Sequence, residues 1–198
     1  MTRAAAYLLQ EIQRRGASSP LLIAIDGRCA AGKTTLAAEL QRETGCNVVH
    51  MDDFFLRPEQ RTAQRLAQSG GNVDWERFQA EVLIPLRQGI SFSYRPYDCR
   101  TQALKEAVQV SPRAVTLVEG SYSCHPQLWN YYGLRLFLTV DPQEQLRRIR
   151  LRSGPEALEV FRTRWIPLEE QYFRAFSIPE RCDARFSTDG MGQAPHQQ

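Results

Sequence analysis

Three observations predict an α/β fold, with helices layered on both faces of a central, mostly parallel sheet. Short apolar runs recur at Leu21 to Ile25, Val48-Val49, Val115 to Val118 and Leu134 to Val140. The stretches between them can hold helices, and that alternation is the pattern of a doubly wound sheet. The runs are also apolar at successive positions, as strands buried on both faces are.

Taken in order, Ala4 to Arg15 places Tyr7, Leu8 and Ile12 at helical spacing, with Gly16 as a stop. Pro20 and Gly27 flank the first strand, and Thr34 to Arg42 reads as the helix after it. Asp74 can cap a helix through Trp75, Phe78, Val82 and Leu83, which Pro85 interrupts and Gly89 ends. Phe92 to Val110 alternates weakly, as a strand pair or a loop over a cleft would. Pro142 to Phe176 reads as two helices broken near Gly154-Pro155, with a kink or break at Pro167. One domain is expected over residues 1–189, with a helical lid at about 142–156 and a polar, disordered tail at 190–198.

With 198 residues, 42% of them hydrophobic and 24% charged, the chain suits one packed core. Its 25 basic and 22 acidic side chains form no basic block of the kind that clamps a nucleic-acid backbone, so no nucleic-acid partner is expected. Cys29, Cys46, Cys99, Cys124 and Cys182 are scattered and contain no C-x-x-C pair; they read as free thiols in a reducing cytoplasm. The amino terminus lacks the pattern of a signal peptide, and no apolar run reaches membrane-spanning length, so no membrane partner is expected. A homo-oligomer is allowed for but not specified.

Gly27-Arg28-Cys29-Ala30-Ala31-Gly32-Lys33-Thr34-Thr35 contains the pattern G-x-x-x-x-G-K-[ST], set between an expected strand and an expected helix. Glycines let the backbone turn its N–H groups onto phosphate oxygens, and the helix amino terminus adds its dipole. The whole segment is therefore the candidate nucleotide site of a P-loop protein, with Lys33 reaching the β and γ phosphates and the Thr34 hydroxyl on magnesium. The nearby strands end in Asp26-Gly27, Asp52-Asp53 and Glu119-Gly120, and these acids are expected to converge on one cleft beyond the strands' carboxyl ends. Asp52 is the candidate base for an attacking hydroxyl, since phosphoryl transfer needs a carboxylate that orients that oxygen and accepts its proton. Glu119 follows an apolar strand, as magnesium-binding acids in P-loop proteins do. Thr34, Glu119 and Asp52 are the candidate metal ligands. Arg147, Arg148, Arg150 and Arg152 crowd one expected helix and suit either a lid over a triphosphate or a solvated face paired with Glu144, Glu156 and Glu159. Arg148 and Arg152 join Lys33 and Asp52 as candidate catalytic residues.

These motifs together resemble the uridine kinase-like group of P-loop kinases, which includes nicotinamide riboside kinase and is related to phosphoribulokinase. The resemblance runs from about Leu21 to Thr188 and rests on GRCAAGKTT, DDFF at Asp52 to Phe55, Tyr97-Asp98 within YRPYDC, VEG at Val118 to Gly120, and RRIRLR. Arg164-Trp165-Ile166-Pro167 with Tyr172 is similar to the helix after the lid in the nicotinamide riboside branch. The resemblance implies transfer of the γ-phosphate of Mg·ATP to the 5′-hydroxyl of a ribonucleoside such as uridine or cytidine. It implies acceptor contacts by Asp52, Asp53, Phe54, Asp74, Tyr97 and Arg147, with Asp74 on ribose hydroxyls and Tyr97 beside the base. Cys99 and Gln102 depart from the uridine branch, which places an aromatic and a histidine there. Nicotinamide riboside or another hydroxylated metabolite is the alternative acceptor, and a nucleotide-sensing protein without transfer is the alternative of another class. No N-K-x-D, H-R-D or D-F-G segment points to a GTP switch or a protein kinase.

Overall fold

The computed structural model describes residues 1–15 and 20–189. The elements run α1 (Arg3–Arg15), β1 (Leu21–Gly27), α2 (Lys33–Thr44), β2 (Asn47–His50), α3 (Ala63–Leu66), α4 (Trp75–Phe78) and α5 (Ile84–Gln88). Four short strands follow: β3 (Phe92–Tyr94), β4 (Tyr97–Asp98), β5 (Ala103–Leu104) and β6 (Val108–Val110). Then come β7 (Val115–Glu119), β8 (Leu134–Thr139), α6 (Pro142–Val160), α7 (Ile166–Phe176), α8 (Ile178–Arg181) and β9 (Ala184–Ser187). Gly16 and the tail from residue 190 lie outside the described residues.

β2, β7, β1, β8 and β9 form one five-stranded sheet in that order, paired in parallel throughout. Side chains alternate across a strand, so β1 feeds two cores. Leu22 and Ala24 join a cluster with Val49, Phe54, Phe78 and Tyr172 on one face. Ile23 and Ile25 join Leu8, Leu36, Leu40 and Leu136 under α1 and α2 on the other. Helices on both faces of a parallel sheet make the three layers read from the sequence.

The segment Phe92 to Val110 is a strand pair in two short ladders, β3 with β6 and β4 with β5. Asp74 caps α4 by accepting the Arg77 N–H, and Gly89 ends α5 in a left-handed conformation. Pro85 does not interrupt the helix as expected, nor does Pro167. Each sits two residues past a π turn, at Gln79–Leu83 and at Phe161–Trp165. A proline ring collides with the carbonyl four residues back, and a wider turn moves that carbonyl aside. The expected break at Gly154 is present: its φ of 83° and ψ of 172° leave the helical region inside α6. Among the described residues, no helix is long and apolar enough to cross a membrane.

Candidate active site

A cleft of about 1110 Å³ is lined by the phosphate loop, by Asp52, Glu119 and Ser121 from the sheet's carboxyl end, and by Arg148, Arg152 and Trp165 from the carboxyl third. Gly27 opens the loop at φ 137°, where a Cβ would stand 2.0 Å from the Leu138 carbonyl oxygen of β8. Only glycine lets the two backbones pass so closely. Ala30 (φ 60°) and Gly32 (φ 85°) then take left-handed conformations before α2 starts at Lys33. The Lys33 ammonium donates to the carbonyls of Gly27 at 2.7 Å and Arg28 at 2.9 Å, and stands 3.4 Å from Ser121 Oγ.

Met51–Phe54 form a single 3-10 turn straight after β2. Met51 and Phe54 are fully buried, which anchors the turn and leaves Asp52 facing the cleft. Gly120, at φ 138°, makes room for it: a Cβ there would meet Met51 Cβ at 2.9 Å and Asp52 Oδ1 at 3.3 Å. Asp52 is exposed to the open cleft, with protein packed closely around the rest of the residue. Desolvation by that packing pushes its carboxyl above the ordinary aspartate range, Lys33 pulls it down, and Glu119 and Glu169 add to the rise. Glu119 Oε1 accepts from the Thr34 hydroxyl at 3.1 Å and pairs with His50 Nδ1 at 2.6 Å. The carboxylate raises the His50 pKa, with burial opposing.

Of the residues read from the sequence, Cys29, Ala30, Gly32, Lys33, Thr34, Thr35, Asp52, Glu119, Arg148 and Arg152 line one cleft. The others are placed elsewhere. Gly27 and Ala31 serve the loop's backbone from beneath, and Arg28 turns outward to pair with Glu170 at 2.8 Å. Asp26 does not join the cleft acids. It is fully buried and accepts from the N–H groups of Gly27, Tyr122 and Cys124 and from the Tyr172 hydroxyl. Asp53 accepts from the Tyr94 hydroxyl at 3.3 Å, because the turn that aims Asp52 inward aims its neighbour sideways. Phe54 is core, edge-on to Phe78 at 4.9 Å between centroids, and Phe55 lines the cleft instead. Both Asp74 oxygens are engaged, Oδ1 by the Arg77 N–H and Oδ2 by Gln60 at 2.7 Å. Tyr97 is buried, its hydroxyl accepting from Arg61 Nη2 at 3.3 Å. Arg147 is exposed and held by Glu144, the solvated-face alternative. Arg148 is also tied down, to Glu144, to the Ala30 carbonyl and to Thr188.

Sequence reasoning missed Glu169, His50, Ser121 and Arg61. Glu169, on α7, is buried; its Oε2 accepts the Cys29 N–H at 3.0 Å and its Oε1 the Ser121 hydroxyl at 2.5 Å. Its signal was available, since it lies three and four residues before the apolar-face positions Tyr172 and Phe173. Cys29 is packed by Gln145, and burial pushes its thiol up to about 12, far from a reactive thiolate.

A parallel sheet whose first strand runs into a G-x-x-x-x-G-K-T loop and helix, with acids from two neighbouring strands in the same cleft, defines the class of P-loop kinase folds. Within that class the chain is similar to curated proteins named uridine kinase. It is 26% identical over 182 residues to a curated uridine kinase of Ureaplasma parvum serovar 3, covering 85% of this chain and 87% of the relative. A uridine kinase of Ureaplasma urealyticum serovar 10 is 24% identical over 184 residues, covering 86% and 88%. A solved structure described as a possible uridine kinase, from Bacillus stearothermophilus, superposes with a TM-score of 0.69 at 20% identity, over 92% of this chain and 96% of its own. One described as a candidate fructose transport system kinase, from Silicibacter sp. TM1040, gives 0.66 at 20% identity, over 94% and 99%. No protein-family model matches the chain.

Proposed function

We propose that this chain transfers the γ-phosphoryl group of ATP to a hydroxyl of a small metabolite, with Asp52 as the general base. The observation that carries the reading is Asp52 itself, a carboxylate bearing on the same cleft as Lys33 and Thr34 and seated there by a glycine that nothing larger could replace. In the transfer, the acceptor oxygen bonds to phosphorus, the bond to the β-phosphate oxygen breaks, ADP leaves, and the hydroxyl proton passes to Asp52. A raised carboxyl is the better proton acceptor, so the desolvation of Asp52 by the protein around it serves this role.

Loop amides and the helix start bind the polyphosphate, and Lys33, whose donation to Ser121 at 3.4 Å is the longest of its three hydrogen bonds, would exchange that contact for a phosphate oxygen. Thr34 Oγ1 and Glu119 Oε1 are adjacent hard oxygen donors, and among the described residues no three acidic, histidine or cysteine side chains form a cage. That donor set fits Mg²⁺, which keeps several waters and takes few protein ligands. When bound, magnesium neutralises charge on the phosphoryl oxygens. Arg152 faces the cleft from α6 with no carboxylate partner among the described residues and would offset the same charge, whereas Arg148 lines that wall already paired with Glu144. The free cysteines suit a reducing cytoplasmic setting.

A ribonucleoside is the first acceptor reading, supported by the relatives named uridine kinase. A second reading, another hydroxylated metabolite of the same kinase class, is favoured by the placement of Asp74 and Tyr97, whose polar groups are spent on Gln60, Arg77 and Arg61. Incubation with Mg·ATP and a panel of hydroxyl acceptors should show acceptor-dependent ADP release, abolished by Lys33→Ala. If no acceptor drives release above background hydrolysis, the kinase reading fails and a nucleotide sensor takes its place.

A further inference from the structure

Arg61 stands out on the wall of the cleft contributed by the segment after Asp52. It lines the cleft together with Phe55, Leu56, Asn72 and Cys99. Its guanidinium is fixed: Nε donates to the Leu56 carbonyl at 3.0 Å, Nη2 donates to the Tyr97 hydroxyl at 3.3 Å, and the group lies 6.0 Å from the Tyr97 ring centroid. Among the described residues, Nη1 and the second hydrogen of Nη2 have no partner. They form the flat end-on fork that matches two oxygens of a carboxylate or phosphate.

The neighbouring arginines are spoken for. Arg57 pairs with Glu59, Arg65 with Glu76 and Arg77 with Glu81, whereas Arg61 pairs with no carboxylate among the described residues. A cation held by two acceptors, one of them the hydroxyl of a buried tyrosine, has already lost part of the side-chain entropy that binding an anion would cost. The residues the ribonucleoside reading assigns to sugar and base, Asp74 and Tyr97, are meanwhile occupied, and Tyr97 is occupied by Arg61 itself.

We propose that the acceptor of this kinase carries an anionic group, a phosphate monoester or a carboxylate, and that Arg61 receives it as the specificity-determining residue of the acceptor site. The assignment rests on the kinase reading for the transfer step. It does not rest on it for binding, so the two can fail separately. Arg61 selects through charge: an anionic group gains a two-point, charge-assisted contact with the exposed fork, whereas a neutral hydroxyl compound of the same size leaves the fork to water and gains nothing from it.

The test uses the full chain as wild type, Arg61→Met and Arg61→Lys, each checked for an unchanged thermal midpoint. Ribose 5-phosphate and glycerate serve as anionic probes, and ribose, uridine and cytidine as neutral ones. Calorimetric binding is measured with Mg·ADP present, and ADP release with Mg·ATP. At least one anionic probe should bind tenfold or more tightly than ribose. Arg61→Met should weaken it by about ten- to a hundredfold, the scale of a charged hydrogen-bonded pair, and Arg61→Lys should keep part of the affinity. The KM for Mg·ATP should not move. Uridine or ribose binding as well as the anions, no anion binding at all, or Arg61→Met leaving anion affinity unchanged would each overturn the assignment. Anion binding without phosphorylation of any acceptor would support Arg61 and remove the transfer step alone.

Discussion

Asp52 works against its own surroundings. Desolvation by the packed protein and two neighbouring carboxylates favour its neutral form, while Lys33 favours the ion. For a general base the rate follows the ionised fraction, so kcat should rise with pH through an acid limb set above the ordinary aspartate range. Asp52→Asn keeps the shape and removes the proton acceptor. Its kcat should fall by about two to four powers of ten while Mg·ATP affinity by calorimetry stays within a few-fold. Equal turnover in the two proteins would strike Asp52 from the mechanism. Residues of this kind were legible because the chain writes them contiguously: Lys33, Thr34, Asp52 and Glu119 each close an apolar run or sit in a fixed pattern. Arg61 carries no such signal, since what distinguishes it is the glutamates its neighbours found and it did not.

At the scale of elements, α7 is the least expected contributor. Glu169 and Tyr172, one turn apart, both reach into the phosphate-loop base, the first on Cys29 and Ser121 and the second on Asp26. The helix thereby holds the loop in the shape that presents its amides. Glu169→Gln can still accept from the Cys29 N–H and donate to the Ser121 hydroxyl, but it removes the charge from both buried hydrogen bonds, at a cost of about 1–3 kcal/mol. Mg·ATP should then bind about tenfold more weakly, and the thermal midpoint should drop by several degrees. Unchanged nucleotide affinity would reduce Glu169 to a packing contact. The sequence showed α7 as a helix but not its reach, because a lone acid on an amphipathic helix looks the same whether it meets water or a loop 140 positions away. The prolines were misjudged for a related reason. Ile84-Pro85-Leu86 and Ile166-Pro167-Leu168 each follow a π turn, a device set by backbone geometry that composition does not encode.

For the molecule as a whole, the inner strands were readable because each is buried on both faces, whereas β9 alternates in exposure at the sheet edge and has no apolar run to betray it. Two buried groups behind that sheet's cleft bias its stability with pH in opposite senses. Burial pushes Asp26 up to about 6, so its contribution is complete below about pH 4 and is lost as pH rises through 6. His125, stacked between Trp75 and Tyr172, is pushed down to about 4 by burial, so its contribution is complete above about 6.5 and is lost as pH falls through 4. Each shift corresponds to a few kcal/mol, roughly 3, over the same window. The raised Asp52 and Asp53 act in the same sense as Asp26. Urea unfolding between pH 4.5 and 6.5 should therefore give the ligand-free protein only a shallow loss of stability with rising pH. His125→Phe keeps the aromatic stack and should steepen that loss, while Asp26→Asn should reverse its sign. Parallel profiles for all three proteins would mean that neither group changes its protonation on unfolding across this range.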